Sequence, residues 1–206
     1  KSTTGSMTGN KILAGAAKYS SNRGIVLYNS SKVKGSINKN TIEKCSDSAI
    51  VVSLKSQVTG SVNGNKISSA AKYGIQTLNK SSIGKAIASN TIKNAKTSGI
   101  LIGSISNTLK IEKNKISGCS NAGIYIQPVT TKYKITATNN TITGNKKGSG
   151  FTIRKANILI NKNKISKVTF GVYADKKCKG NVYANKISKA TKKKVYTDTK
   201  KVKLKK

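Results

Sequence analysis

The chain has 206 residues, enough for one ordinary domain with a sizeable core, and carries 40 lysines and arginines against 5 acids, for a net charge of +35. No apolar run is long enough to span a membrane, which excludes a membrane-crossing helix. The charge predicts attraction to polyanions, whether nucleic acid, anionic lipid surfaces, teichoic acids or acidic polysaccharides.

The basic residues are lysines except for Arg23 and Arg154, and histidine is absent. Lysine is a hydrated point charge, whereas arginine offers a bidentate fork, so this surface predicts loose, salt-sensitive attraction more than base readout. The plainer reading is solubility, with lysines blunting exposed strands. The chain starts at Lys1 and shows no signal peptide, and is read as a module of a longer or processed protein.

Taken in chain order, the triplet Asn-(Lys/Thr)-Ile occurs at Asn10, Asn40, Asn65, Asn90, Asn114, Asn140, Asn163 and Asn185. The gaps lie between 22 and 30 residues, a periodicity that chance does not produce. Three residues before these asparagines sits a small or branched apolar residue, as at Ile37, Val62, Ile87 and Ile160, and two residues after each sits an isoleucine. About ten residues on comes Gly-Ile-x-Ile or a relative, from Gly24 through Ala49, Gly74, Gly99, Gly123 and Gly150 to Gly171.

Alternation with period two, rich in Ile and Val, predicts strands, and the segments are too short for helices. Three short strands per repeat describe one coil of a parallel β-helix, with about seven to eight coils stacked at ~4.8 Å. The motif asparagines are expected at tight corners, in the left-handed conformation, with their amides forming an internal ladder. Residues 1–190 are assigned to the β-helix. Residues 191–206 break the pattern and are read as a basic C-terminal cap or linker.

The Asn-x-Ile and Gly-Ile-x-Ile phrases resemble the repeats of right-handed parallel β-helix proteins of the pectate-lyase-like group, over about residues 10 to 190. The resemblance implies an all-β solenoid and says little about activity. Lyases of that group use a carboxylate-bound calcium with an Arg or Lys base, and its hydrolases use clustered Asp residues. Here the only acids are Glu43, Asp47, Glu112, Asp175 and Asp198, and only Glu43 and Asp47 share a coil. Glycoside hydrolysis needs two carboxyl groups flanking the bond, and calcium needs several oxygen ligands, so neither a catalytic pair nor a metal cofactor is expected. A lyase using a Lys base and Arg154 stays as an alternative. Cys45, Cys119 and Cys178 fall where other repeats place small apolar residues, and are expected to be buried and unpaired.

Candidate ligand-binding residues come from the outward positions. On the Gly-Ile strand one outward column is Val26, Val51, Gln76, Leu101, Tyr125, Thr152, Tyr173, and the next is Tyr28, Ser53, Leu78, Gly103, Gln127, Arg154, Asp175. Tyr125 and Tyr173 offer flat faces to sugar rings, Arg154 a clamp for a carboxylate, and Gln127, Thr152, Asp175 and Tyr28 lie around them. Tyrosines also favour exposed strands for structural reasons alone. After the asparagine, Lys11, Thr41, Lys66, Thr91, Lys115, Thr141, Lys164 and Lys186 form a column in which Lys and Thr nearly alternate. Lysines would then recur at ~10 Å, comparable to two sugar units of an extended polysaccharide and also a spacing that limits repulsion.

These features favour a non-catalytic carbohydrate-binding module for an acidic or branched plant polysaccharide such as glucuronoxylan or pectin. It resembles β-helical modules attached to bacterial polysaccharide-degrading enzymes, which implies a parent catalytic domain and a secreted or cell-surface location. The alternatives are a polysaccharide lyase and an adhesion or anchoring module for anionic polymers. Nucleic acid ranks last, because aromatics interleaved with arginine are scarce.

Overall fold

The computed structural model describes residues 2–15, 22–128 and 130–205. Among them the regular elements are all β-strands, paired in parallel with the strand one coil away. The period-two alternation read from the sequence therefore becomes a solenoid. Each strand is too short to bury a core by itself and finds its partners 22 to 30 residues away.

The strands before the asparagines make a nine-stranded sheet that runs from Met7–Thr8 to Val202–Lys205. The strands after the asparagines and the Gly-Ile strands belong to one larger sheet, because Lys164–Ala174 runs through both segments without a break. Three strands per coil holds from Leu109–Glu112 onward. The earlier coils add a fourth short segment, seen in Thr3–Thr4, Lys32–Val33, Gln57–Val58 and Ser82–Ile83.

In-register stacking puts like on like. Ile42, Ile67, Ile92, Ile116, Ile142 and Ile165 form one inward column, and Ile75, Ile100, Ile124 and Phe151 another, all buried. Burying each such side chain contributes about 1.5–3 kcal/mol. Cys45, Cys119 and Cys178 are buried free thiols in this core.

The asparagine ladder runs from Asn10 to Asn185. In each step the Nδ2 of one asparagine donates to the Oδ1 of the next, at 2.8 to 3.0 Å. That Oδ1 also accepts the previous asparagine's backbone N–H, and from Asn40 onward each Nδ2 donates to the carbonyl of the apolar residue that begins the previous coil's corner. Asn40 through Asn163 are fully buried, so this satisfaction is what allows a polar side chain to occupy the core.

One expectation about the corner is corrected. The left-handed residue is not the motif asparagine but the residue before it: Gly9, Lys39, Gly64, Ser89, Lys113, Asn139, Lys162 and Ala184 all have positive φ. The bend at that position turns the asparagine inward, where its amide is held by the ladder.

The glycines of the Gly-Ile phrase have a different cause. A Cβ on Gly99 would lie 2.4 Å from Ile116 Cγ2 and 2.8 Å from the Gly123 carbonyl, both in the next coil. Gly74, Gly123 and Gly150 meet the same obstruction. Lys194 occupies the equivalent place in the last strand, where no described coil lies above it. Lys194-Val195-Tyr196 therefore replaces the glycine phrase without a clash. This is why the pattern fades after Ala190 while the structure continues. The expected boundary at 190 falls inside the strand Lys186–Thr197, and Val202–Lys205 pairs with Lys179–Tyr183, so residues 191–205 continue the solenoid.

Candidate functional site

The outward columns of the Gly-Ile face stack as the alternation requires. Val26, Val51, Gln76, Leu101, Tyr125, Thr152 and Tyr173 are partners in successive coils, and Tyr196 extends the column by one more. Its character changes along the rod. Val51 and Leu101 point outward yet are buried, whereas Val26 is exposed and Gln76 is half-buried, its Oε1 accepting from the Ser48 hydroxyl. From Tyr125 onward the column is partly open and rich in polar aromatic groups.

There the structure brings together Tyr125, Thr152, Tyr173, Arg154 and Gln127. The Arg154 guanidinium lies over the Tyr125 ring, 5.9 Å from its centroid, a contact worth about 0.5–1 kcal/mol when exposed. The Tyr125 hydroxyl donates to Gln127 Oε1. Burial raises the Tyr125 phenol above its ordinary range, Arg154 opposes the shift, and Tyr73 and Asp175 add to it. The ring therefore stays neutral around neutral pH.

Tyr173 and Tyr196 stack on each other, with centroids 5.2 Å apart and planes 9° apart. Phe170 packs against both, at 5.7 and 5.9 Å. One face of Tyr173 is thus already covered by Tyr196, and the flat area expected of Tyr173 is shared between two rings. Lys193 lies 5.2 Å from the Tyr196 centroid and Lys192 5.9 Å from that of Phe170. The Asp198 carboxylate accepts the Tyr196 hydroxyl and raises its pKa. Sequence reasoning missed Tyr196 because one extra residue enters the strand between the partners of Val168 and Phe170, which shifts the repeat from 22 to 23. Counting one more repeat beyond Tyr173 is the signal that finds it.

Two predicted members stand apart. Tyr28 is exposed, but it belongs to an early coil far along the rod from Tyr173. Asp175 adjoins Arg154 in its column, yet its Oδ1 accepts the backbone N–H groups of Lys155 and Lys177. It is committed to shaping two turns.

The remaining acids are dispersed. Asp47 is buried against Arg23 at 2.8 Å and Lys72 at 3.4 Å. Burial pushes its carboxyl up, but the Arg23 hydrogen bonds and the two cations outweigh this and hold it below its ordinary value. Glu43 and Glu112 lie on different strands. Among the described residues no three His, Cys, Asp or Glu side chains gather where they could hold a metal.

The second predicted surface keeps its register. Lys11, Thr41, Lys66, Thr91, Lys115, Thr141, Lys164 and Lys186 are partners in successive coils. Lys66, Lys115 and Lys164 are exposed, and among the described residues no ion pair involves them.

Fold and repeat together define a parallel β-solenoid with a polar aromatic strip and a lysine face. A family model described as a right-handed β-helix region matches residues 98–205, just over half of the chain. The chain belongs to that family. No curated protein and no solved structure matches.

Proposed function

We propose that this chain is a non-catalytic module that binds an acidic polysaccharide along the rod, with glucuronoxylan or pectin as the ligand class. The observation that carries the reading is the strip of Tyr125, Arg154 and Tyr173, lengthened by Tyr196 and Phe170 and flanked by Lys192 and Lys193. Amphipathic rings meet the apolar and hydroxyl surfaces of sugars, and an arginine binds a uronate carboxylate with two parallel hydrogen bonds. The lysines supply unselective attraction that brings the polymer to the rod. On this reading the module is secreted or displayed at a bacterial cell surface and serves a parent enzyme whose catalytic domain lies elsewhere.

A second reading is favoured by the spread of exposed lysines over all three sheets, as at Lys32, Lys110 and Lys66. A surface charged all round suits an anchoring module for anionic polymers in general. Affinity electrophoresis against neutral cellulose, arabinoxylan, glucuronoxylan and polygalacturonate, at low and high salt, separates the two. Retention by one acidic polysaccharide that persists at high salt supports the specific module. Equal retention by all polyanions, abolished by salt, supports the anchor.

A further inference from the structure

The lysine column breaks its own rule at one place. Over most of its length an exposed lysine is separated from the next by a threonine, so like charges stay about two coils apart, ~10 Å. Lys164 and Lys186 are direct partners, one coil apart at ~4.8 Å. Within the same strand pair, Lys167 and Lys189 repeat the coincidence, each in a left-handed position four residues after its asparagine. Directly opposed like charges destabilise a sheet. Among the described residues none of these four lysines has an ion-pair partner.

The two lysines flank a shallow groove of about 230 Å³ lined by Thr141, Lys164, Ser166, Lys186 and Ser188 over the floor of Ile165. It holds three hydroxyls, two ammonium groups and no carboxylate. The same facet nearer the N-terminus forms a groove from Thr41, Glu43, Lys66, Ser68, Thr91 and Lys93, where Glu43 supplies a negative charge beside the lysines. Asp175 and Asp198, the acids closest in sequence, belong to the far end of the Gly-Ile strand, where one caps turns and the other accepts from Tyr196. The C-terminal groove therefore concentrates uncompensated positive charge with hydroxyl donors.

We propose that this groove is an anion site, distinct from the aromatic strip, for a doubly charged oxyanion group carried by a polymer: a phosphate monoester. Such a group relieves the Lys164–Lys186 repulsion with two charge-assisted hydrogen bonds, and its remaining oxygens accept from Ser166, Ser188 and Thr141. A neutral sugar offers nothing to the lysine pair, and a single carboxylate neutralises only half of it.

The test uses the whole chain, labelled for amide NMR, with inorganic sulfate and inorganic phosphate titrated separately at constant ionic strength. Saturable shifts are expected at residues 164–167 and 186–189. Lys186→Thr restores the alternation. It should weaken saturation roughly five- to tenfold, as expected for the loss of one charge-assisted bond, while raising the unfolding midpoint in chloride. Lys164→Gln should lose the same affinity, and Lys110→Thr, exposed on the nine-stranded sheet, should leave it unchanged. Saturation by phosphate supports the phosphate monoester as the ligand, and saturation by sulfate alone would overturn it. Shifts that fail to saturate, that spread equally to Lys66 and Lys115, that survive Lys186→Thr, or that acetate reproduces with equal affinity would overturn the site. Failure of the polysaccharide module is a separate outcome, because none of these anions needs the tyrosine strip.

Discussion

Asn90 Nδ2 donates to Asn114 Oδ1 at 3.0 Å and to the Val62 carbonyl at 2.9 Å, while its own Oδ1 accepts both the amide and the backbone N–H of Asn65. One side chain thus ties three coils together with no exposure to solvent. Asn90→Ala leaves several of these groups unpaired, and should lower stability by roughly 1–3 kcal/mol in chemical denaturation. Asn90→Asp should cost more at neutral pH, because a carboxylate cannot donate to Asn114 and its charge would be buried. Tolerance like that of an exposed site would contradict the ladder.

The glycine phrase makes a paired prediction. Gly99→Ala forces a Cβ against Ile116 and the Gly123 backbone, and should destabilise by about 1–3 kcal/mol. Gly5→Ala, with nothing within 4 Å, should be nearly silent in the same thermal melt.

The buried thiols give a pH dependence. Burial pushes Cys119 up to about 11 and Cys178 up to about 12, from an ordinary value of 9.0. A pKa raised on folding means that the folded state holds its proton more tightly. This contribution is complete below pH 9 and is lost as pH rises toward 11 and 12. The unfolding midpoint should fall over that alkaline window, and less steeply in Cys178→Ala. In the native state all three thiols should resist a soluble thiol reagent at neutral pH and react only on unfolding.

Much of this molecule is legible in its sequence because a solenoid repeats its grammar. The Asn-x-Ile spacing fixes which residues meet, and the outward columns through Tyr125, Arg154 and Tyr173 follow by counting. Three things are not legible. The left-handed bend falls one residue before the asparagine, on side chains as different as Lys39, Ser89 and Ala184, because it is imposed by the ladder and not by local preference. Tyr196 hides behind a one-residue irregularity and the loss of the glycine phrase at Lys194. Asp175 looks free in a column but is drawn to turn amides, which alternation does not describe.

The lysine column and the aromatic strip should behave differently. Replacing Lys66, Lys115 and Lys164 together with Gln should weaken binding to every polyanion and flatten its salt dependence, since screened Coulomb attraction does not select among ligands. Retention of the wild-type salt dependence in this variant would show that the column takes no part in attraction.

The most direct measurement is affinity electrophoresis of Tyr125→Ala and Tyr173→Ala beside the triple lysine variant, on glucuronoxylan and on polygalacturonate. The account predicts that each tyrosine variant loses roughly three- to tenfold in affinity for the preferred polysaccharide, as expected for the loss of one aromatic contact, with little change in salt dependence. If both tyrosine variants bind like the wild type while the lysine variant loses all binding, the strip is not the site and the chain is an unselective polyanion binder.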